Sequence, residues 1–559
     1  MAQQDSQHQA DVVVDGRVRG DTDVVADGML VDAGVAMDVR LDTDGSGGAL
    51  REMFVIALPS VATMASHTVM QFADKFMVSR IGPEPVYVAA QSNGGILVWT
   101  LCAFMLGMTG VVNSFVSQNY GAGKPERGAA YAWNGLWLGV GYCAVLIVPA
   151  ILLVPGYFAS IHEDQTLVAL ETKYATVMLM GALWILSSRA IHHFFYGLHR
   201  PWVVFISAIV ANVLNVGLNV MLIFGDQQLV FENAGWIGDT VVHPITGAIA
   251  SLAGTLGIEP MGLVGAAWAT VIGSLVEFLI PLALFVSPRY ARQFGTLKAW
   301  KLSAECLRGL AKVGTVPGLM FVNEIVCWNM LMVWLVPLGG KAMGDDPVLH
   351  NTTGWIALQY MHLSFMPAVG LSIACQAMVG KAMGMKRPDI ATKRAMLALK
   401  ITMGYMGLCA LVFVVYREQL IGVFIDGQTG AEERAKLIAI GSTVMIAAAV
   451  FQLFDALAIT TSAALRGAGD TVWPGVATIV LSWTCIVGLG YGLIHFVPSL
   501  GSLGPWIGAS LYIILLGTVL GVRFAQGKWK SLSLVKEDDR ADLDPYDDLM
   551  PDPTMTADV

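Results

Sequence analysis

Charge is what this chain has least of. Asp, Glu, Lys and Arg make up 13% of its 559 residues, against about 25% in soluble domains. That excludes a string of ordinary soluble domains, and dividing the length into such domains has no meaning here. Cysteine is also sparse. The seven are Cys102, Cys143, Cys306, Cys327, Cys375, Cys409 and Cys485. No CxxC or Cys/His spacing suggests zinc, and no pair suggests an external disulfide, so they read as packing residues. Walker A, HExxH and GxSxG sequences are missing, which leaves ATP-driven transport and common hydrolase chemistry without support. The N-terminus has no basic-then-apolar leader, so the first apolar span is expected to direct insertion itself. Nor are there the roughly 10-residue alternating segments of a membrane β-barrel.

Hydrophobic residues are abundant, at 55% of the chain. They gather into twelve runs, near 53–79, 86–110, 129–154, 166–190, 202–225, 262–287, 313–338, 354–378, 396–416, 437–465, 473–497 and 505–524. Each reaches the ~20 residues that a helix needs to cross a bilayer. Each must be helical, because lipid offers the backbone no hydrogen-bonding partner. The expected class is therefore an all-α integral membrane protein with twelve transmembrane helices.

Loop charge sets the expected orientation. One set of connections holds Lys124, Arg127, Arg200, Arg289, Arg292, Lys298, Lys301, Arg308 and Lys312, then Lys381 through Lys400, and Arg466. The other holds only Arg80, Lys341, Arg417, Arg434 and Lys436. The positive-inside rule puts the first set and both termini in the cytoplasm of a multi-pass inner-membrane protein. The net charge of −9 comes from the tails. Residues 1–50 carry ten Asp against three Arg, and residues 531–559 carry nine acids against Lys536 and Arg540. The membrane body is thus net positive. Both tails read as solvated, disordered segments with little to bury.

The chain repeats itself at long period. Residues 107–132, GMTGVVNSFVSQNYGAGKPERGAAYA, align without a gap to residues 370–395, GLSIACQAMVGKAMGMKRPDIATKRA. Gly107/Gly370, Val116/Val379, Gly121/Gly384, Pro125/Pro388 and Ala132/Ala395 are identical at this offset of 263. Pro59 and Pro317 hold similar places early in the first span of each half. Six spans per half is an even number, so the halves insert the same way up and form a parallel repeat. The expected domains are an acidic tail (1–50), a six-helix bundle (51–290), a basic linker (291–312), a second bundle (313–530) and a second tail (531–559). Two such bundles around a midplane site are the architecture of alternating access.

Three acids lie deep in the apolar runs: Asp74, Glu324 and Asp455. A charge at that depth costs at least ~3 kcal/mol, so such groups face a bundle interior or wet cavity and mark an ion or substrate path. Span 1 carries His67, Gln71 and Asp74 at i, i+4 and i+7, hence on one face. Span 5 repeats this with Asn212, Asn215 and Asn219. Span 10 carries Gln452, Asp455, Ser462 and Arg466, and span 8 offers Gln359 and His362. His67, Gln71, the three asparagines, Gln359 and Gln452 are candidate cavity-lining residues. The amides are equally open to a plain role as interhelical glue, and His67 to one as a packed, hydrogen-bonded histidine. Glu277 in span 6 has no polar stripe beside it, and snorkelling to the interface competes with function there. The group His192, His193 and His199, beside Arg189 and Arg200, is most simply explained by interface electrostatics.

At this point the residues resemble a family. SQNYGAGKPERGAAYA after span 2, LNVGLNVMLIFG closing span 5, GLVGAAWATVIG opening span 6 and LRGAGDT closing span 10 resemble the multidrug and toxic compound extrusion (MATE) family. The likeness runs from about residue 52 to 525, closest to the NorM-like branch. It implies two pseudo-symmetric six-helix bundles, with cation coupling and substrate binding at Asp74 (in QFADKFMVS), Glu324 (in PGLMFVNEIVCW) and Asp455 (in FQLFDALAITTSAALRG). Another branch carries a proton-binding Asp late in span 5, and here that place is Asn219. The 226–260 connection is longer than the family pattern. It carries Asp226, Glu232, Asp239 and Glu259 without Lys or Arg, and is expected outside as a cap on the external mouth.

The function expected is a secondary antiporter that exports organic, often cationic, compounds against an inward Na⁺ or H⁺ gradient. Na⁺ at Glu324 and Asp455 is the favoured coupling ion. No cofactor, nucleic acid or enzymatic step is expected. The partners are small organic substrates and membrane lipid, and the protein is expected to be monomeric. The 28 Met and 15 Trp suit a polyspecific cavity as well as ordinary lipid-facing packing. Three alternatives remain open at this stage: a lipid-linked oligosaccharide or lipid II flippase of the same superfamily, an intramembrane enzyme built on His67 or the span 4 histidines, and a non-transporting receptor.

Overall fold

The computed structural model describes residues 46–82, 86–229, 240, 242–425 and 430–535. The described residues contain no strand. Twelve helices are long and apolar enough to cross a membrane: α1 Gly48–Val78, α2 Val86–Gly121, α3 Pro125–Ile161, α4 Gln165–Gly197, α5 Pro201–Phe224, α6 Leu263–Phe285, α7 Ala304–Ala342, α8 Pro347–Gly384, α9 Pro388–Val415, α10 Glu432–Ala468, α11 Val472–Phe496 and α12 Leu503–Ala525. The boundaries have local causes. Helices α3, α5, α8 and α9 begin on a proline, whose missing N–H costs nothing in a first turn. Helix α10 ends where Gly469 takes φ +96°, a left-handed conformation suited to glycine. In α3 and α7 the turns Cys143–Ile147 and Leu331–Leu335 widen to π geometry, just ahead of Pro149 and Pro337. The wider turn accommodates a residue that cannot donate to the helical ladder.

Several helices outrun their apolar stretch, α2 by a full eleven residues. Residues 111–119, VVNSFVSQN, are all buried although five of them are Asn, Ser or Gln. Hydropathy reports contact with lipid, whereas this segment is wrapped in protein.

The two repeats meet one another, and they do so reciprocally. Asn113 Nδ2 donates to the Ile373 carbonyl, and Gln376 Nε2 donates to the Gly110 carbonyl. The offset of 263 found in the sequence maps one bond onto the other, Asn113 onto Gln376 and Gly110 onto Ile373. A side chain on Gly121 would strike the Lys381 carbonyl, and one on Gly384 would strike the Gln118 carbonyl. Ser117 and Gly380, equivalent to each other, touch directly, so the pseudo-two-fold axis passes between them. Farther along, Gly107 lies against Pro317 and Gly318 of α7, while Gly370 lies against Ser60 and Val61 of α1. In this fold the glycines are spent on close helix crossings between the halves.

Helix α1 belongs to both halves. Met53, Ile56 and Ala57 sit in the core of α7–α12, whereas beyond Pro59 the helix also packs on α5. The linker between the halves is pinned to α3: Trp133 Nε1 donates to Thr296 O and Trp137 Nε1 to Trp300 O. In the long 226–260 connection, His243–Leu256 forms a helix held by Gln228 to the His243 carbonyl and by Thr246 to the Leu229 carbonyl. Glu232 and Asp239 lie outside the described residues, as do residues 1–45 and 536–559 of the tails. The chain stays docked past 530, the boundary expected for the C-terminal tail. Trp529 is fully buried, and the Leu534 N–H donates to Gln118 Oε1 at 2.8 Å.

Candidate functional site

The predicted site residues fall into two separate groups, one in each half. In the N-terminal half, α1 presents Asp74 to α5. Asp74 is 8% exposed and accepts a hydrogen bond from Asn219 Nδ2. That amide also donates to Asn215 Oδ1 at 3.1 Å. One turn further, Asn212 Nδ2 donates to Ser66 Oγ at 3.0 Å. The span 5 stripe thus faces α1, as the i, i+3, i+7 spacing demands. Asn215 and Asn219 are buried, and their contacts hold the Asp74 carboxylate in place. His67 and Asp74 turn into the bundle, while Gln71 between them is exposed.

In the C-terminal half, Glu324 of α7 accepts a hydrogen bond from the Tyr512 hydroxyl of α12 at 3.0 Å. Asp455 of α10 feels the Glu324 charge, and Tyr512 feels both. Tyr512 is 2% exposed, whereas Glu324 and Asp455 are half-buried. Glu324 and Tyr512 are thus hydrogen-bonded across two helices, with the Asp455 carboxylate of a third within electrostatic reach of both. Their oxygens are hard donors of the kind alkali and alkaline-earth cations prefer. Asn323 points away to α11, donating to Ser482 Oγ and accepting from Trp483 Nε1. Gln452 is buried and donates to Ser364 Oγ, while Gln359 is exposed. Among the described residues no hydrogen bond or ion pair joins Asp74 to Glu324 or Asp455. Nor does any group of three or more His, Cys, Asp or Glu stand ready to hold a metal ion.

Sequence reasoning missed several functional-looking groups. Tyr512 lies in an apolar span with no polar stripe to announce it. Glu277 faces inward rather than snorkelling. Its side chain is 12% exposed and lies 3.5 Å from His67 and 3.8 Å from His192. His192 is 1% exposed and so is no interface residue. Glu52, at the foot of α1, forms a buried ion pair with Arg394 of α9 at 2.7 Å, with His199 4.0 Å away. That pair joins the halves at the end where α2 leads into α3. Ser114 to the Arg466 carbonyl and Gln118 to the Gly467 carbonyl join them at the same end.

The MatE family model matches residues 59–221 and 318–491, one block in each half. A protein named "Probable multidrug resistance protein NorM" from Mesorhizobium japonicum is 25% identical over 488 residues, covering 85% of this chain and 93% of its own. Its namesake from Chromobacterium violaceum is 24% identical over 494 residues, covering 86% and 95%. Among solved structures, a MOP superfamily transporter from Pyrococcus furiosus superposes with a TM-score of 0.72 at 20% identity, covering 86% of this chain and 97% of its own. The eukaryotic MATE transporter AtDTX14 superposes with a TM-score of 0.70 at 16% identity, covering 87% and 98%. At such identities the structural likeness is one of fold.

Proposed function

This chain belongs to the MatE family, and from that premise we propose that it is a secondary antiporter exporting organic, often cationic, compounds across the inner membrane. The relatives' names support multidrug efflux and give no support to a flippase or an intramembrane enzyme. The observation that carries the coupling mechanism is the gathering of Glu324, Asp455 and Tyr512 inside the C-terminal half. Two carboxylates beside a hydroxyl can bind Na⁺ through oxygen, take up H⁺, or neutralise an organic cation. Because the same oxygens serve each ligand, binding is competitive, and the gradient sets which ligand occupies them. No covalent step is needed.

The basic loops orient both termini to the cytoplasm. On that reading the contacts at Asn113, Ser114, Gln118 and Gln376 close the cytoplasmic end in the described state. Transport requires these contacts and the Glu52–Arg394 pair to part, so that the halves rock about the pseudo-two-fold. Each ligand shifts the balance by its preference for one state. Na⁺ is the preferred coupling ion, because Asn219 is an amide and cannot take up a proton near neutral pH. The test is efflux of a fluorescent organic cation such as ethidium from proteoliposomes, with Na⁺ and pH gradients imposed separately. Glu324→Gln and Asp455→Asn should insert and purify normally yet lose gradient-driven efflux. Wild-type rates from either variant would remove the assignment.

A further inference from the structure

A second titratable cluster lies in the N-terminal half, away from the acids of the proposed antiport mechanism. Three helices build it: α1 gives His67, α4 gives His192 and α6 gives Glu277. One oxygen, Glu277 Oε1, faces both His67 Nε2 at 3.5 Å and His192 Nδ1 at 3.8 Å. These separations are too long for hydrogen bonds. All three atoms are buried, and none has a hydrogen-bond partner. Buried polar groups are almost always paired, so three unpaired atoms facing one another call for an explanation.

The tautomer makes the arrangement specific. His192 Nε2 lies 3.4 Å from the Glu277 backbone carbonyl, an acceptor, so the neutral ring carries its proton on Nε2. Its Nδ1 then turns a lone pair toward a carboxylate oxygen, which also has only lone pairs to offer. One added proton, on Nδ1 or on Oε1, converts this opposition into a donor–acceptor contact. His67 offers a third place for the same proton. Arg189 of α4 acts on the Glu277 carboxylate electrostatically, so the cluster is near charge balance before that proton arrives. The other groups that face it are Tyr196 of α4, which feels Glu277, and His193, which feels His192 and Arg466 of α10. Asp74 is the next acid along α1, seven residues or about 10 Å further.

We propose that Glu277, His67 and His192 form a proton-binding site inside the N-terminal half, separate from the Glu324–Asp455 cation site. The proton is shared among the three groups, so the cluster titrates as a unit. Helix α1 gives it leverage. The helix that carries His67 also carries Glu52 of the inter-half ion pair and roots Met53, Ile56 and Ala57 in the opposite half's core. Loading the site therefore acts on a helix that reaches into both halves.

The test needs no transport assay, so its failure is distinct from failure of the antiport reading. The full chain is reconstituted in lipid without substrate or Na⁺, and infrared difference spectra are recorded as pH is stepped from about 9 to about 5. The proposal expects an imidazolium or protonated-carboxyl band that appears on acidification and is absent in Glu277→Gln. It also expects the midpoint to move by about one pH unit or more, a tenfold change in proton affinity, in His67→Asn and in His192→Asn. Should Glu277→Gln not assemble, Glu277→Asp keeps a carboxyl one methylene shorter and shifts the frequency of the band. A spectrum with no Glu277-dependent imidazolium or carboxyl signal, or a midpoint indifferent to both histidines, overturns the proposal and leaves the cluster a packing contact.

Discussion

Arg394→Met tests whether the ends of the two halves are latched as described. Arg394 and Glu52 have side chains 7% and 2% exposed and meet at 2.7 Å. Removing the guanidinium strands a buried carboxylate, which costs about 3–5 kcal/mol when nothing replaces the partner. The charge of Lys381 offsets part of that, so the lower figure applies. At ~1.4 kcal/mol per factor of ten, 3 kcal/mol is roughly a hundredfold shift. Because the pair spans the halves, opening the latched end hydrates the stranded acid, and the shift should favour the open state. The assay is the labelling rate of Ser117→Cys by a membrane-impermeant maleimide. Ser117 is fully buried at the crossing of α2 and α8, and six of the seven native cysteines are buried. Labelling should be slow in the otherwise native chain and faster by one to two orders of magnitude with Arg394→Met. Adding Glu52→Gln should restore most of the protection, since the stranded charge is then gone. Equal labelling in all three backgrounds would refute the latch.

Other consequences follow from the same contacts. Tyr512→Phe removes one hydrogen bond to a charged group, about 1.5–3 kcal/mol, and should raise the Na⁺ concentration needed for half-maximal efflux roughly tenfold or more. Gly384→Ala drives a methyl group against the Gln118 carbonyl, whereas a Cβ on Gly404 meets nothing within 4 Å. Maleimide access at position 117 should therefore rise with Gly384→Ala and stay unchanged with Gly404→Ala. A chain ending at 535 should label like the full chain. One ending at 530 loses the Leu534 N–H to Gln118 bond and should label faster.

Much of this arrangement was legible in the sequence, for identifiable reasons. The repeat at offset 263 was visible because close crossings force glycine at fixed places, and those same glycines mark the axis of the structure. Asp74, Glu324 and Asp455 stood out because a charge in an apolar run has no cheap explanation. The Asn212, Asn215 and Asn219 stripe was visible by helical spacing, and its target on α1 became clear only once α1 and α5 were packed together. Tyr512 gave no signal, since an aromatic residue in an apolar span reads as packing until its hydroxyl is seen on Glu324. Glu277 and His192 lie 85 residues apart in sequence, on helices whose own faces carry no stripe leading to the other. Only the tertiary contact of α4 with α6 brings them together. The extra turns of α2 were lost to hydropathy because their polar side chains are paid for by partners in the other half.

The central claim is that a cation gradient acting through Glu324 and Asp455 drives export. The most direct measurement is ethidium efflux from proteoliposomes holding the full chain, at equal pH on both sides, before and after an inward Na⁺ gradient is imposed. The account predicts that export begins with the Na⁺ gradient and is abolished by Asp455→Asn at equal protein level. Export that starts only with a pH gradient in Na⁺-free buffer would contradict the sodium reading, and export by Asp455→Asn at the wild-type rate would contradict the site itself.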